Sequence, residues 1–289
     1  MIDAILGVLR FSAPVAFTAV GEAVGQKSGV INIGLEGLML VAAYTSVEVA
    51  GRTGSPWVGL AAGVAAALVL NLIQAVFTLL LEGDQVVIGT AVNLAGLGLT
   101  STLFQKQYGA SGAILSVPKF PAVVAGLDAV LLTLPVLVIG LGWAVFRSKW
   151  GLALRAAGDA PHAVESAGYS VMALRWQGQA IVGTMVGLAG SYLTLGIAGS
   201  FAENMTAGRG FVAIAMVTFG RWKPAWVLGA CLLVGAMEWM QFALQGGATG
   251  LPLQFFRALP YVVALGVLIL VSKGTLAPLA LGRPFRKEK

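Results

Sequence analysis

Histidine and cysteine are nearly absent from this chain, one of each in 289 residues, and charged residues make up only 10% of it. A lone His162 excludes a histidine-based metal cluster and a Ser-His-Asp triad. A lone Cys231, set in an apolar stretch, forms no intramolecular disulfide and behaves as a small hydrophobe. So little charge excludes a soluble domain, whose surface needs roughly a quarter of its residues charged. No basic run interleaved with aromatics is present, so the net charge of +6 does not point to nucleic acid. No signal-peptide pattern with a small-residue cleavage site is evident. One near-motif also fails. Gly21–Ser28 resembles a phosphate-binding loop, but Gln26 stands where glycine must precede the lysine, and the stretch follows an apolar helix, not a strand.

What is present is apolar and rich in small residues. The chain is 58% hydrophobic with 39 glycines and a mean hydropathy of +0.88. Glycine at that frequency suits close packing of helices in lipid. These features predict an all-α polytopic membrane bundle of about 8–10 transmembrane helices, given roughly 20 apolar residues per span. The candidate stretches are Ile2–Val20, Val30–Ala50, Pro56–Leu81, Val86–Phe104, Leu127–Phe146, Trp176–Gly199, Phe211–Gly220, Ala225–Gln245 and Phe256–Ser272. Phe211–Gly220 is too short to cross and reads as broken or re-entrant. No polar stretch is long enough for a soluble domain, so residues 1–289 form a single membrane domain. Placing Trp150–Arg175 and the tail Arg283–Lys289 inside makes twelve lysines and arginines cytoplasmic against five outside, a positive-inside bias. Counting nine spans back from that tail puts the N-terminus outside.

The polar segment between Lys149 and Arg175 reads as two short helices joined at Gly158-Asp159-Ala160-Pro161. Asp159 is suited to cap the second helix, Pro161 to its first turn and Gly168 to its end. The first helix mixes Leu152, Leu154, Arg155 and Ala156. It packs on the membrane domain, inserts into a groove of another protein, or is a solvated connector.

Polar groups at membrane depth mark either a route for solute or contacts between helices. Asn32 and Glu36 are four apart and share a face if the segment is helical. Gly29, Gly34 and Gly37 predict a break there. Glu36 then borders a substrate route or fixes the packing of a neighbouring helix. Asn71, Asn93 and Glu238 complete the candidate substrate pathway, with Gln74, Gln179 and Gln241 beside them. Gly59-x-x-x-Gly63 and Gly183-x-x-x-Gly187 predict tight helix contacts. No residue set suggests a metal.

Three patterns, taken together, resemble one family. Gly151, Leu154-Arg155-Ala156, Gly158, Ala167 and Gly168 are similar to the coupling segment of the permease subunits of ABC importers for branched-chain amino acids, simple sugars and nucleosides. Ser28-Gly29-Val30-Ile31-Asn32-Ile33-Gly34-Leu35-Glu36-Gly37 resembles the signature of the nucleoside-type members. So does Gly208-Arg209-Gly210-Phe211 followed by Phe219-Gly220-Arg221-Trp222-Lys223-Pro224. The resemblance implies the membrane-spanning subunit of an ATP-driven importer, moving nucleosides by alternating access across a bacterial inner membrane. It implies no catalysis by this chain and no cofactor bound to it, ATP and magnesium being used by partners. Those partners are two cytoplasmic ATPase subunits, a second homologous permease forming a heterodimer, and an extracytoplasmic substrate-binding lipoprotein. It assigns ATPase coupling to Gly151, Leu154, Arg155, Ala156, Gly158, Asp159, Ala167 and Gly168, with Leu154 as an apolar knob and Arg155 as a charged hydrogen-bond donor. The alternative reading is a secondary transporter driven by an ion gradient, with Glu36, Glu48 and Glu238 as candidate ion sites.

Overall fold

The structure is a computed structural model that describes residues 2–109, 116–244 and 277–285, with Val262 and Gly266. It is an all-α bundle. The elements are α1 (Ile2–Lys27), α2 (Leu35–Thr53), α3 (Pro56–Ala75, prolonged by a π-helical turn Val76–Leu80), α4 (Gln85–Tyr108), α5 (Ala129–Arg147), α6 (Lys149–Asp159), α7 (Pro161–Ser166), α8 (Val171–Tyr192, prolonged by a π-helical turn Leu193–Ala198), α9 (Arg209–Phe219) and α10 (Pro224–Leu244). A short antiparallel hairpin, β1 (Ala122–Val124) with β2 (Leu127–Asp128), precedes α5.

Among the described residues, six helices are long and apolar enough to cross a membrane: α1, α3, α4, α5, α8 and α10. α2, 19 residues long, carries Glu36, Glu48 and Arg52, and α9 has only 11 residues. The seventh apolar stretch is therefore a half-length helix, as its length predicts. The ninth, Phe256–Ser272, lies almost wholly outside the described residues. Two of the boundaries that differ from the hydropathy reading bear on the site. The first helix continues past Val20 to Lys27, through the stretch that resembles a phosphate loop. The second starts at Leu35, because residues 28–34 leave the helical path.

α1 and α8 form the centre. From Ala13 to Gln26, α1 is buried on every side, the signature of a core helix. It packs along α8 and α10 and also touches α5 and α9, while α3 lies along both α8 and α2. In lipid, apolar side chains gain little by leaving their surroundings, so close backbone approach carries the association. The two GxxxG stretches do this. A β-carbon on Gly59 would lie 2.5 Å from the Ser46 carbonyl oxygen, and one on Gly63 2.8 Å from that of Ala42. One on Gly187 would lie 2.6 Å from the Cα of Val64. Outward-facing Val69, Leu94, Val136, Ile139 and Trp226 are exposed, as lipid contact requires.

Candidate functional site

Two interruptions of helical backbone meet inside the bundle. The first is residues 28–34, between α1 and α2. The second is residues 199–208, between α8 and α9, where Asn204 and Gly208 adopt left-handed backbone angles of φ 55° and 84°. Backbone outside a helix must find partners at membrane depth. Glu36, in the first turn of α2, provides them for α9. Its Oε1 accepts the Thr206 hydroxyl at 2.5 Å and the Gly208 N–H at 2.7 Å. Its Oε2 accepts the Gly210 N–H at 2.7 Å. A carboxylate thus caps the positive N-terminal end of a half-length helix. Gly210 has to be glycine, since a β-carbon would lie 2.5 Å from the Glu36 backbone nitrogen.

The first interruption is held by amides from α3 and α4. Asn93 of α4 accepts the Gly37 N–H and donates to the Ile33 carbonyl, both at 2.8 Å. Gln85 accepts the Ile31 N–H at 2.8 Å. Asn93 lies eight residues beyond the start of α4, about 12 Å along its axis, so this joint sits well within the bundle. Asn32 is the hub. Its Nδ2 donates to Asn71 Oδ1 at 2.6 Å, and its Oδ1 accepts from Gln74 Nε2 at 2.9 Å and from Gly34 N at 2.8 Å. Asn71 donates onward to the Gln179 carbonyl at 2.5 Å. The Asn32 N–H goes to Glu22 Oε1 at 2.9 Å, which also accepts from Gln26 Nε2 at 2.9 Å. Gln26 in turn accepts the indole N–H of Trp222 at 2.7 Å. The network ties α1, α3, α8 and the α9–α10 turn to the interruption.

Four of the five pathway candidates, Asn32, Glu36, Asn71 and Asn93, therefore gather at one joint. Glu238 joins it indirectly, as the 3.0 Å ion-pair partner of Arg209 at the start of α9. Asn32 and Glu36 do not share a helical face, because helix α2 starts only at Leu35; each serves different partners. Glu48 is also engaged, with Arg52 at 2.5 Å and the Tyr108 hydroxyl at 2.8 Å.

The polar segment forms the two helices that spacing predicts, α6 and α7, with Pro161 opening α7 and Gly168 left-handed after it at φ 86°. Three expectations are corrected. Asp159 does not cap α7: it ends α6, and its Oδ1 accepts the Leu279 N–H of the distant tail at 3.3 Å. Leu154 is no outward knob: it is fully buried in a cluster with Val24, Val145, Val164, Leu174 and Phe285. The glycines serve close approach to the chain's own helices. A β-carbon on Gly151 would lie 2.5 Å from the Val145 carbonyl carbon, and one on Gly158 3.1 Å from the Gly29 nitrogen, in the first interruption. Arg155 is half-buried, its guanidinium 5.1 Å over the Phe146 ring. Ala156 is half-buried, Ala167 and Gly168 are exposed, and Leu152 and Tyr169 stand out at 62% and 53% exposure.

Residues 4–272 match the family described as the branched-chain amino acid transport system / permease component. The chain belongs to this permease family. It is 30% identical to the nucleoside ABC transporter permease protein of Lactococcus lactis, over 99% of this chain and 97% of that one. It is 32% identical to the guanosine ABC transporter permease protein of Bacillus subtilis, over 97% and 95%. A putative glucose ABC transporter permease protein of Haloferax volcanii is 30% identical over 78% and 72%.

The geometry explains why this permease carries its two longer motifs. Gly29 turns left-handed beside α6, Asn32 organises the amides, and Glu36 reaches across to the glycines of the second motif. That motif's Trp222 returns to Gln26, from a turn in which Arg221 and Trp222 are both left-handed, at φ 51° and 57°. Sequence reasoning missed Glu22, Gln26, Gln85, Thr206 and Trp222 as members of the joint. For Glu22 and Gln26 a signal existed: both are polar residues four apart, on one face of the long apolar helix α1.

Proposed function

We propose that this permease is the membrane-spanning subunit of an ATP-driven importer that carries nucleosides across a bacterial inner membrane by alternating access. Residues 1–289 act as one permease domain. The full-length likeness to permeases named for nucleosides and guanosine supports the cargo. ATP and magnesium are used by two cytoplasmic ATPase subunits, a substrate-binding lipoprotein delivers the nucleoside, and a second homologous permease completes a heterodimer. The observation that carries the mechanism is the contact of Gly158 with Gly29. The coupling segment is bolted to the interruption that holds Asn32 and Glu36, so a push on α6 and α7 reaches the joint between α2 and α9 without passing through a flexible loop. Asn32, Glu36, Asn71, Asn93 and Glu238 border the route as the parts that shift, with Glu36 carrying α9.

In this reading the ATPase meets the exposed Leu152, Ala163, Ala167 and Tyr169 together with the half-buried Arg155 and Ala156. The buried Gly151, Leu154 and Gly158 hold that surface rigid, and Asp159 and Gly168 shape its turns. Leu152→Glu places a charge in an apolar contact while leaving the chain's own packing untouched. Co-purification of the ATPase subunits should be lost and nucleoside uptake should fall at least about tenfold, an apolar anchor being worth more than roughly 1.4 kcal/mol, with the amount of folded permease unchanged. Retained ATPase and unchanged uptake in this variant would refute the docking surface.

A further inference from the structure

The end of the bundle that carries the coupling segment also holds a cleft between that segment and the tail. It encloses about 360 Å³ between Asp159–Ala163, Arg175 near the start of α8, and the tail residues Leu279, Ala280 and Arg283–Phe285. The tail is pinned in place. The Ala280 N–H donates to the Gly158 carbonyl at 2.8 Å and the Gly282 N–H to that of Gly29 at 3.1 Å. The Phe285 ring lies 5.3 Å from that of His162 and is buried beside Leu154.

Arg175 is the unexplained group. It is 1% exposed. Among the described residues its side chain makes one hydrogen bond, from Nη1 to the Arg283 carbonyl at 3.0 Å, and Nε and Nη2 find no partner there. Among the described residues no carboxylate lies within ion-pair distance of it; the ion pairs there are Arg52–Glu48 and Arg209–Glu238. A guanidinium presents five N–H donors in a rigid fork matched to oxyanions, and burying it unpaired is costly. Among the described residues, the other charged and titratable side chains of the cleft are Arg283, His162 and Asp159, and the Asp159 carboxylate is already turned to the Leu279 N–H. The lining therefore has an excess of donors and positive charge.

We propose that this cleft binds a phosphate-type oxyanion, held by Arg175 with Arg283 and His162, and that the bound anion locks the tail onto the coupling segment. A free phosphate-bearing solute and the headgroup of an anionic lipid offer the same chemistry. The test uses the full chain with its co-purifying subunits in phosphatidylcholine nanodiscs. Inorganic phosphate is titrated against chloride at matched ionic strength, and the unfolding midpoint and phosphorus NMR linewidth are read.

A free-anion site predicts a saturable rise in midpoint with phosphate only, with apparent affinity weakened about tenfold or more in Arg175→Gln and Arg283→Gln, the scale of one lost charged hydrogen bond. A headgroup site predicts no response to phosphate. Instead, phosphatidylglycerol nanodiscs raise the midpoint of the wild type but not of the variants. Arg283 is exposed, so Arg283→Gln keeps the comparison alive if Arg175→Gln does not fold. No response to either source overturns the proposal, as does an equal response in the wild type and Arg283→Gln.

Discussion

Glu36→Ala is expected to abolish nucleoside uptake and to cost about 4 kcal/mol or more of stability. The carboxylate accepts one hydroxyl and two backbone N–H groups, and hydrogen bonds to a charged group contribute roughly 1.5–3 kcal/mol each. Alanine leaves the N-terminal donors of α9 bare at a depth where water does not replace the lost acceptor. Glu36→Gln should fall between, since its amide keeps one acceptor oxygen and turns an NH₂ toward an N–H donor; a loss of about 2 kcal/mol is expected. Thermal unfolding followed by size-exclusion chromatography in detergent, read beside uptake of a labelled nucleoside, checks both variants. An alanine variant that unfolds with the wild type and imports normally would show that something other than Glu36 holds α9.

Gly96→Leu is the second large effect. A β-carbon on Gly96 would sit 2.7 Å from both the Cα and the carbonyl oxygen of Gly37, and one on Gly37 2.5 Å from the Val92 carbonyl oxygen. The contact is backbone against backbone, so no rotamer change relieves it, and α2 must move off α4. Overpacking of this kind costs about 1–3 kcal/mol or more. The displacement also pulls Gly37 from Asn93 and moves its neighbour Glu36, so uptake should drop further than stability alone explains. Gly98, on the same helix, has nothing within 4 Å of its β-carbon position. Gly98→Ala is expected to leave both unfolding and uptake within error of the wild type, or to stabilise slightly through helix propensity. Equal effects of the two changes would mean that the α2–α4 contact is not the cause.

The contrast between those two glycines shows where sequence reasoning reaches and where it stops. The paired glycines of α3 and α8 were legible because a four-residue spacing places both on one helical stripe. The half-length α9 was legible from the shortness of its apolar run. The partnership of Glu36 with Thr206, Gly208 and Gly210 was not, because it joins two interruptions some 170 residues apart, and local pattern carries no information on which breaks meet. Leu154 illustrates a different limit. An apolar face on a short polar-flanked helix says that something covers it, but not whether the cover is the chain itself or a partner. Asp159 shows competition. Its position favours capping α7, yet a tail N–H from residue 279 takes the carboxylate. The β1–β2 hairpin had no expectation at all, since a few residues of strand carry no readable alternation; it is fixed by Asp128, which caps α5 at Leu131 and accepts the Tyr192 hydroxyl at 2.9 Å.

If ATP used by partner subunits drives nucleosides through this permease, the energy source of uptake must show it. Cells expressing the permease with its partner subunits are given a labelled nucleoside under two treatments: ATP depletion with the ion gradient maintained, and collapse of the ion gradient by ionophores with ATP maintained. Uptake is expected to stop in the first and persist in the second, with Leu152→Glu behaving as if ATP were depleted. Uptake that survives ATP depletion and disappears with the ion gradient would contradict it, and would return Glu36, Glu48 and Glu238 to consideration as ion sites.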